Sequence, residues 1–136
     1  MTEYKKPLPV ADADSKEFWD SCHRHEMQMQ KCDQCHTFHY PPGPVCPTCF
    51  STNLKWEKVS GKGEVYSFIV VRRPPGPEWE ADVPYVMANI ELPEGVRMIS
   101  NVIGCKPEDV KIGMKLALVY DDVTEAVTLP KFKPEQ

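Results

Sequence analysis

The sequence predicts a mainly β protein in which an N-terminal helix and a small cysteine-bearing ribbon precede a five-stranded barrel. Three observations carry this prediction. Cys32, Cys35, Cys46 and Cys49 form two Cys-x2-Cys pairs within eighteen residues. Beyond Ser60-Gly61-Lys62-Gly63 the chain is a succession of β-branched and aromatic runs separated by turns containing glycine and proline. The main helical pattern lies ahead of both, around Phe18 and Cys22.

Residues 1–13 have no periodicity and read as an extended arm. Asp14 or Ser15 can cap a helix, and Asp14-x-x-Glu17 has the form of a capping box, so the helix is expected from Lys16 to about His25. Phe18 and Cys22 fall on one face, with Trp19 beside them. Two aromatics on a polar helix can face a partner, but packing on the chain's own core is the plainer expectation. From Met27 the period changes to two. Met27 and Met29 alternate with Gln28 and Gln30, a strand leading into Cys32. His39-Tyr40-Pro41-Pro42-Gly43-Pro44 cannot be helical, because three prolines remove donors and fix φ, so it reads as the ribbon's return loop.

Lys55–Val59 is a short strand, and the glycine-bearing turn after it is the natural boundary. The expected parts are 1–26 (arm and helix), 27–60 (ribbon) and 61–136 (barrel and tail). In the last part, Glu64–Val71 is a strand, and Arg72–Val83 is a loop holding Trp79. Pro84–Leu92 is a second strand, with Val86, Ala88, Ile90 and Leu92 on one face. Pro93-Glu94-Gly95 turns into Val96–Ile103, Lys106–Val110 makes one helical turn, and strands over Leu116–Tyr120 and Val123–Leu129 complete the set. Five strands with a helical link between the third and fourth fit a closed barrel, of which the OB-fold is the commonest. An SH3-like barrel or a half-open sandwich is the structural alternative.

The cysteine spacing has a chemical reason. Zinc takes four ligands at tetrahedral corners, and a two-residue spacer lets one tight turn aim two sulfurs at one ion while its N–H groups support the thiolates. Two such turns close the site around one Zn²⁺. His36 and His39 are conceivable ligands, but four cysteines in symmetric pairs already fill a tetrahedron. A closed site has no position for water, so the expected role is structural.

Composition narrows the classes. The first residues carry no apolar h-region, and no apolar run approaches the ~20 residues of a membrane span, so a reducing cytoplasm is the expected setting. There, paired cysteines mean metal more often than disulfide. The formal net charge is −4, and four thiolates with one Zn²⁺ bring it to −6. Both halves are acidic, with 7 basic against 8 acidic residues up to Ser60 and 9 against 12 after it. Nucleic-acid modules present a basic face, and the outward Glu64, Asn89 and Glu91 do not make one, so a nucleic-acid partner is not expected.

The ordered set of motifs resembles the acyl-CoA-associated proteins that join a rubredoxin-like zinc ribbon to an OB-fold. It comprises Phe18-Trp19, the cysteine pairs, Trp56, Val59-Ser60-Gly61-Lys62-Gly63, Tyr66-Ser67, Pro84-Tyr85, Glu91-Leu92, Glu94-Gly95-Val96, Ile112-Gly113-Met114 and Leu129-Pro130-Lys131-Phe132, spanning about residues 14 to 134. Three departures stand out. His36 and Phe50 occupy places where glycine is usual, and Pro-Gly-Pro replaces a common Pro-Arg.

The resemblance implies a small subunit without catalytic residues of its own. Its partner would be a thiolase-like catalytic subunit, a related acyltransferase, or an acyl-CoA hydratase or aldolase, in a hetero-oligomer such as two plus two. The reactive cysteine and histidine bases would lie on that partner. The implied ligand is a coenzyme A ester, of an aromatic or other bulky acyl group. Arg72 and Arg73 can grip phosphates, or be a solvated strand end. Trp79 and Tyr85 can line an acyl or pantetheine passage, or anchor an interface. Phe18 and Trp19 are further partner-facing candidates. Cys22 and Cys105 read as buried inert thiols. A stand-alone acyl-CoA binding module is the main alternative, and a nucleic-acid binder a weaker one.

Overall fold

Residues 4–135 are described by a computed structural model; the first three residues of the expected arm and the last of the tail lie outside them. One α-helix, α1 (Lys16–His23), precedes a three-stranded sheet of β1 (Gln28–Cys32), β2 (Phe38–His39) and β3 (Leu54–Lys58), in the order β2-β1-β3. The rest is a closed barrel of β4 (Lys62–Val71), β5 (Tyr85–Glu91), β6 (Arg97–Val102), β7 (Lys115–Asp122) and β8 (Thr128–Pro134), in the order β4-β5-β6-β8-β7. A 3-10 turn at Pro107–Asp109 links β6 to β7, and β6 meets β8 in parallel where Val102 faces Phe132. This is the expected mainly β fold, with its helix, cysteine cluster and five-stranded barrel. The strand order selects the OB arrangement over the SH3-like alternative.

The barrel core follows from period-two alternation. Val86, Ala88 and Ile90 on β5 point inward, as expected, and meet Val65, Met98, Val102, Leu116 and Phe132. β4 closes the barrel by pairing Gly63 with Leu116 of β7. A bulge between Val65 and Ser67 leaves Tyr66 facing outward, where the Arg97 guanidinium lies 3.7 Å from its ring centre. The helix is the layer between ribbon and barrel. Phe18 and Cys22 are buried against Met27 and Met29 of the ribbon, in one apolar cluster continuous with the barrel.

Several boundaries differ from expectation, each for a local reason. The helix stops at His23, and His25 is left-handed at φ 61°. No capping box forms. Ser15 is the N-cap without a side-chain capping bond, because its hydroxyl is turned back to accept the Asp12 amide (3.1 Å) while the Asp12 carboxylate accepts the amides of Ser15 (2.8 Å) and Asp14 (3.1 Å). Lys62-Gly63 opens β4 instead of finishing a turn. Gly63 is buried and packed so closely that a β-carbon there would lie 2.6 Å from Ile90 Cγ2. The last strand begins at Thr128, not Val123, because the Thr124 hydroxyl accepts the amides of Ala126 and Val127 and holds residues 124–127 as a turn. Gln30, polar in the strand pattern, is buried, and its Oε1 accepts the Gly43 amide at 2.9 Å.

Candidate metal centre and ligand-facing surface

The two knuckles repeat one backbone pattern. His36 N–H donates to Cys32 O at 2.9 Å and Phe50 N–H to Cys46 O at 2.8 Å, while Cys32 N–H reaches Thr37 O and Cys46 N–H reaches Ser51 O. This tight loop forces the residue after each second cysteine into the left-handed region, φ 62° at His36 and 63° at Phe50. A residue with a β-carbon there costs about 1–2 kcal/mol relative to glycine.

The knuckles face each other and bring the sulfurs of Cys32, Cys35, Cys46 and Cys49 within 4.8 Å of one another, and no histidine joins this group. Cys32 Sγ lies 3.5 Å from Cys49 Sγ, and Cys35 Sγ 3.7 Å from Cys46 Sγ. Tetrahedral Zn–S bonds of about 2.3 Å require S···S edges of about 3.8 Å, so the cluster fits zinc. The amides of Gln34 and Cys35 donate to Cys32 Sγ, and that of Thr48 to Cys46 Sγ, all at 3.4 Å. Such bonds favour the thiolate. Cys32 is held below the usual thiol range by the Cys35 amide, Cys46 by the Cys49 amide, and Cys35 by the Thr37 hydroxyl. Cys49, although the Ser51 amide favours its anion, is pushed up to about 12 by burial and by the sulfurs around it. Four thiolates this close need a cation to coexist, and a divalent metal such as zinc would supply it.

Elsewhere the expected site residues separate. Trp79 and Tyr85 line one cavity of about 210 Å³ together with Lys6, Asp82, Asn101 and Lys131. Its two lysines are paired, Lys6 with Asp82 and Lys131 with Asp121 (2.6 Å). Asn101 is fixed by donating to Val86 O at 2.9 Å. Arg72 and Arg73 are exposed at the end of β4 and are not in that lining. Phe18, offered as partner-facing, is 1% exposed; its ring packs edge-on against Trp19 (5.1 Å) and against Tyr40 (5.4 Å), so the chain's own core takes it. Trp19 is half-buried beside a shallow groove with Val127 and Thr128. Cys22 is fully buried and its thiol is pushed up to about 12 by that burial, which disqualifies it as a nucleophile. Cys105, expected to be buried, is only partly so, and what burial it has raises its thiol.

The linear pattern does not disclose the joint between helix and barrel. His25 Nε2 lies 3.0 Å from the Asp122 carboxylate and its ring stacks on Tyr120 at 4.6 Å. Asp122 accepts the Thr128 hydroxyl, and His23 Nδ1 is 3.2 Å from Thr128 Oγ1. The histidines lie about a hundred residues from these partners, and only the exposed polar pair of His23, the last residue of α1, and His25 just beyond it hints at them.

Fold and cysteine cluster together define a zinc-ribbon protein built onto an OB barrel. The family model described as the rubredoxin-like zinc ribbon domain of ChsH2 matches residues 19–55, and that described as the ChsH2 C-terminal OB-fold domain matches residues 56–121. A DUF35 domain-containing scaffold protein of Methanocaldococcus jannaschii is 42% identical over 96 residues, covering 70% of this chain and 67% of that protein. The chain belongs to this ChsH2/DUF35 family. A probable enoyl-CoA hydratase alpha subunit of Thermomonospora curvata is 36% identical over 129 residues; these are 95% of this chain but 40% of that relative, so the chain spans well under half its length. The solved structure titled Ltp2-ChsH2(DUF35) aldolase superposes with a TM-score of 0.84 at 36% identity, over 93% of this chain and 98% of the other. Among the described residues, no helix is long and apolar enough to cross a membrane.

Proposed function

We propose that this chain is the non-catalytic zinc-binding subunit of a thiolase-type acyl-CoA complex, acting on an aromatic or other bulky acyl-CoA in the cytoplasm. Cys32, Cys35, Cys46 and Cys49 hold one zinc ion that shapes the ribbon, and the ribbon and barrel together stabilise the catalytic partner and wall its substrate channel. The observation that carries the accessory-subunit part of this reading is the near end-to-end correspondence with a chain of the Ltp2-ChsH2(DUF35) aldolase, of the same family; the thiolase-type partner rests on the motif resemblance. The relative named as a probable enoyl-CoA hydratase alpha subunit supports a subunit role in acyl-CoA chemistry, and for the partner it favours the alternative of a hydratase or aldolase complex.

The cavity at Trp79 and Tyr85 supports a shared rather than an independent ligand site. At about 210 Å³ it is smaller than the roughly 300–1,000 Å³ of pockets that bury a drug-sized ligand. It therefore suits one segment of a coenzyme A ester, with the remainder on the partner. In this reading Trp79 and Tyr85 flank the pantetheine or acyl portion, Asn101 offers a fixed polar group, and Arg72 and Arg73 reach the phosphates from the adjoining loop.

The test is co-expression with a thiolase-type acyl-CoA enzyme from the same genome, followed by gel filtration and an assay of carbon–carbon bond cleavage. A stable complex of two plus two chains is expected, with cleavage lost when this chain is omitted. Full activity of the partner alone contradicts the proposal. Calorimetry on the isolated chain with an acyl-CoA separates the alternative, since a stand-alone binding module would show saturable binding and a shared site would not.

A further inference from the structure

We infer that the tip of the second cysteine knuckle, centred on Phe50, is an anchor for docking the catalytic subunit, which receives the phenyl ring in a neutral, apolar pocket. The inference rests on the accessory-subunit reading and adds the surface by which the complex is held. Phe50 is 78% exposed and takes no part in the apolar core, so the ribbon gains no packing from it. Its backbone is left-handed, at φ 63°, a conformation that glycine adopts without strain. A large apolar ring is thus kept in water at a position where the fold favours no side chain at all. Val45, on the same loop, is also exposed.

The surroundings are equally unusual. From Gln34 to Leu54 there is no Asp, Glu, Lys or Arg, in a chain that is 26% charged. Depletion of charge around a central aromatic is the compositional mark of an interface core, and a protruding ring fits a pocket better than a flat face. The charge balance also selects the occupant. Nucleic acid and anionic bilayers both call for a basic surface, which this patch, free of Lys and Arg beside a zinc–thiolate cluster of net negative charge, does not offer. Two copies of the chain would each bring a net negative charge to the contact, −4 before the zinc–thiolate cluster is counted. A different protein with a neutral or basic seat is the complementary partner.

The experiment compares wild type with Phe50→Gly, Phe50→Ala and Phe50→Leu, each co-expressed with the thiolase-type partner. Glycine removes both the ring and the backbone strain, so the isolated F50G chain is expected to keep its zinc and to melt a few degrees higher. Its affinity for the partner is expected to fall by about tenfold or more. F50A should lose the same affinity without the gain in melting temperature, and F50L should retain part of the affinity. Binding of F50G within about twofold of wild type overturns the inference while leaving the accessory-subunit reading intact. Failure of the wild type to bind overturns both. If ultracentrifugation shows a homodimer of the isolated chain that F50G dissolves, the occupant is a second copy and the inference is also overturned.

Discussion

The ribbon and the barrel are both small β structures, yet different forces hold them. In the barrel every strand pairs on both sides, and Val65, Ile90, Leu116 and Phe132 are almost completely buried at its centre. Closure removes the exposed edges, and apolar burial supplies the stability. The ribbon has three strands, one of only two residues, and its apolar residues Met27 and Met29 point toward the helix. At its far end the buried groups are sulfurs. A barrel closed by its own apolar packing is thus joined to a ribbon whose far end is built on four cysteines suited to a metal, and the exposed Phe50 stands on the second of these.

The sharpest way to break this contrast is to remove the metal. Cys46→Ser, or a strong chelator, should abolish zinc binding and unfold the ribbon, because structural zinc contributes about 10–16 kcal/mol in small fingers. That exceeds what a three-stranded sheet can replace. Hydrogen exchange provides the check: amides of residues 28–58 should lose protection while those of 62–134 keep it. Collapse of both regions together would mean a single cooperative unit.

The complementary test acts on the barrel. Phe132→Ala empties the point where β6, β7 and β8 meet and should destabilise by about 3–5 kcal/mol, with zinc content unchanged. Gly63→Ala is the opposite perturbation. Its β-carbon would press on Ile90 Cγ2 at 2.6 Å and on Phe132 Cε2 at 3.2 Å, for a loss of about 1–3 kcal/mol by denaturant titration. If either variant lowered zinc affinity as much as barrel stability, the two regions would not be separable.

How much of this could be read from the sequence depended on how local each signal was. The metal cluster was legible because two residues of spacing determine where two sulfurs point. The barrel was legible because burial on one sheet face writes a period of two into Val86, Ala88 and Ile90. Features set by distant partners were not. Gln30, polar in the strand pattern, is buried because the return loop brings Gly43 to it, and Gly63, expected in a turn, lies in β4 where Ile90 and Phe132 take the space around it. The cavity that gathers Trp79 and Tyr85 depends on Lys6, 76 residues from its partner Asp82. Arg72 and Arg73, adjacent to that loop in sequence, stay outside the lining.

The joint between the regions offers a smaller test. Tyr120 of β7 accepts the Met27 amide at 2.8 Å, just where the chain enters the ribbon. Tyr120→Phe leaves that partly buried donor without its partner and should cost about 1–2 kcal/mol. Exchange at the start of β1 should rise more than exchange within the barrel. Uniform change across the chain would show that the bond couples the regions instead of fastening one to the other.

The smallest expected effect concerns acid. Asp122, about half exposed, is held below the usual carboxylate range by the Thr128 hydroxyl first and by His25 second. A depressed carboxyl favours the folded form while it is ionised, so its contribution is complete above the unfolded value near pH 4 and fades as pH falls through the lower folded value. Solvent screening keeps the contribution small. Asp122→Asn should therefore change stability slightly at neutral pH and flatten its decline below about pH 4, with the wild type showing the steeper acid slope. Zinc release also occurs in acid as thiolates protonate, so the comparison is made on the barrel signal, using near-ultraviolet dichroism of Tyr120 and its neighbours. Equal slopes in the two proteins would mean that the His25–Asp122–Thr128 contact is incidental and that apolar packing of Phe18 and Cys22 alone seats the helix between ribbon and barrel.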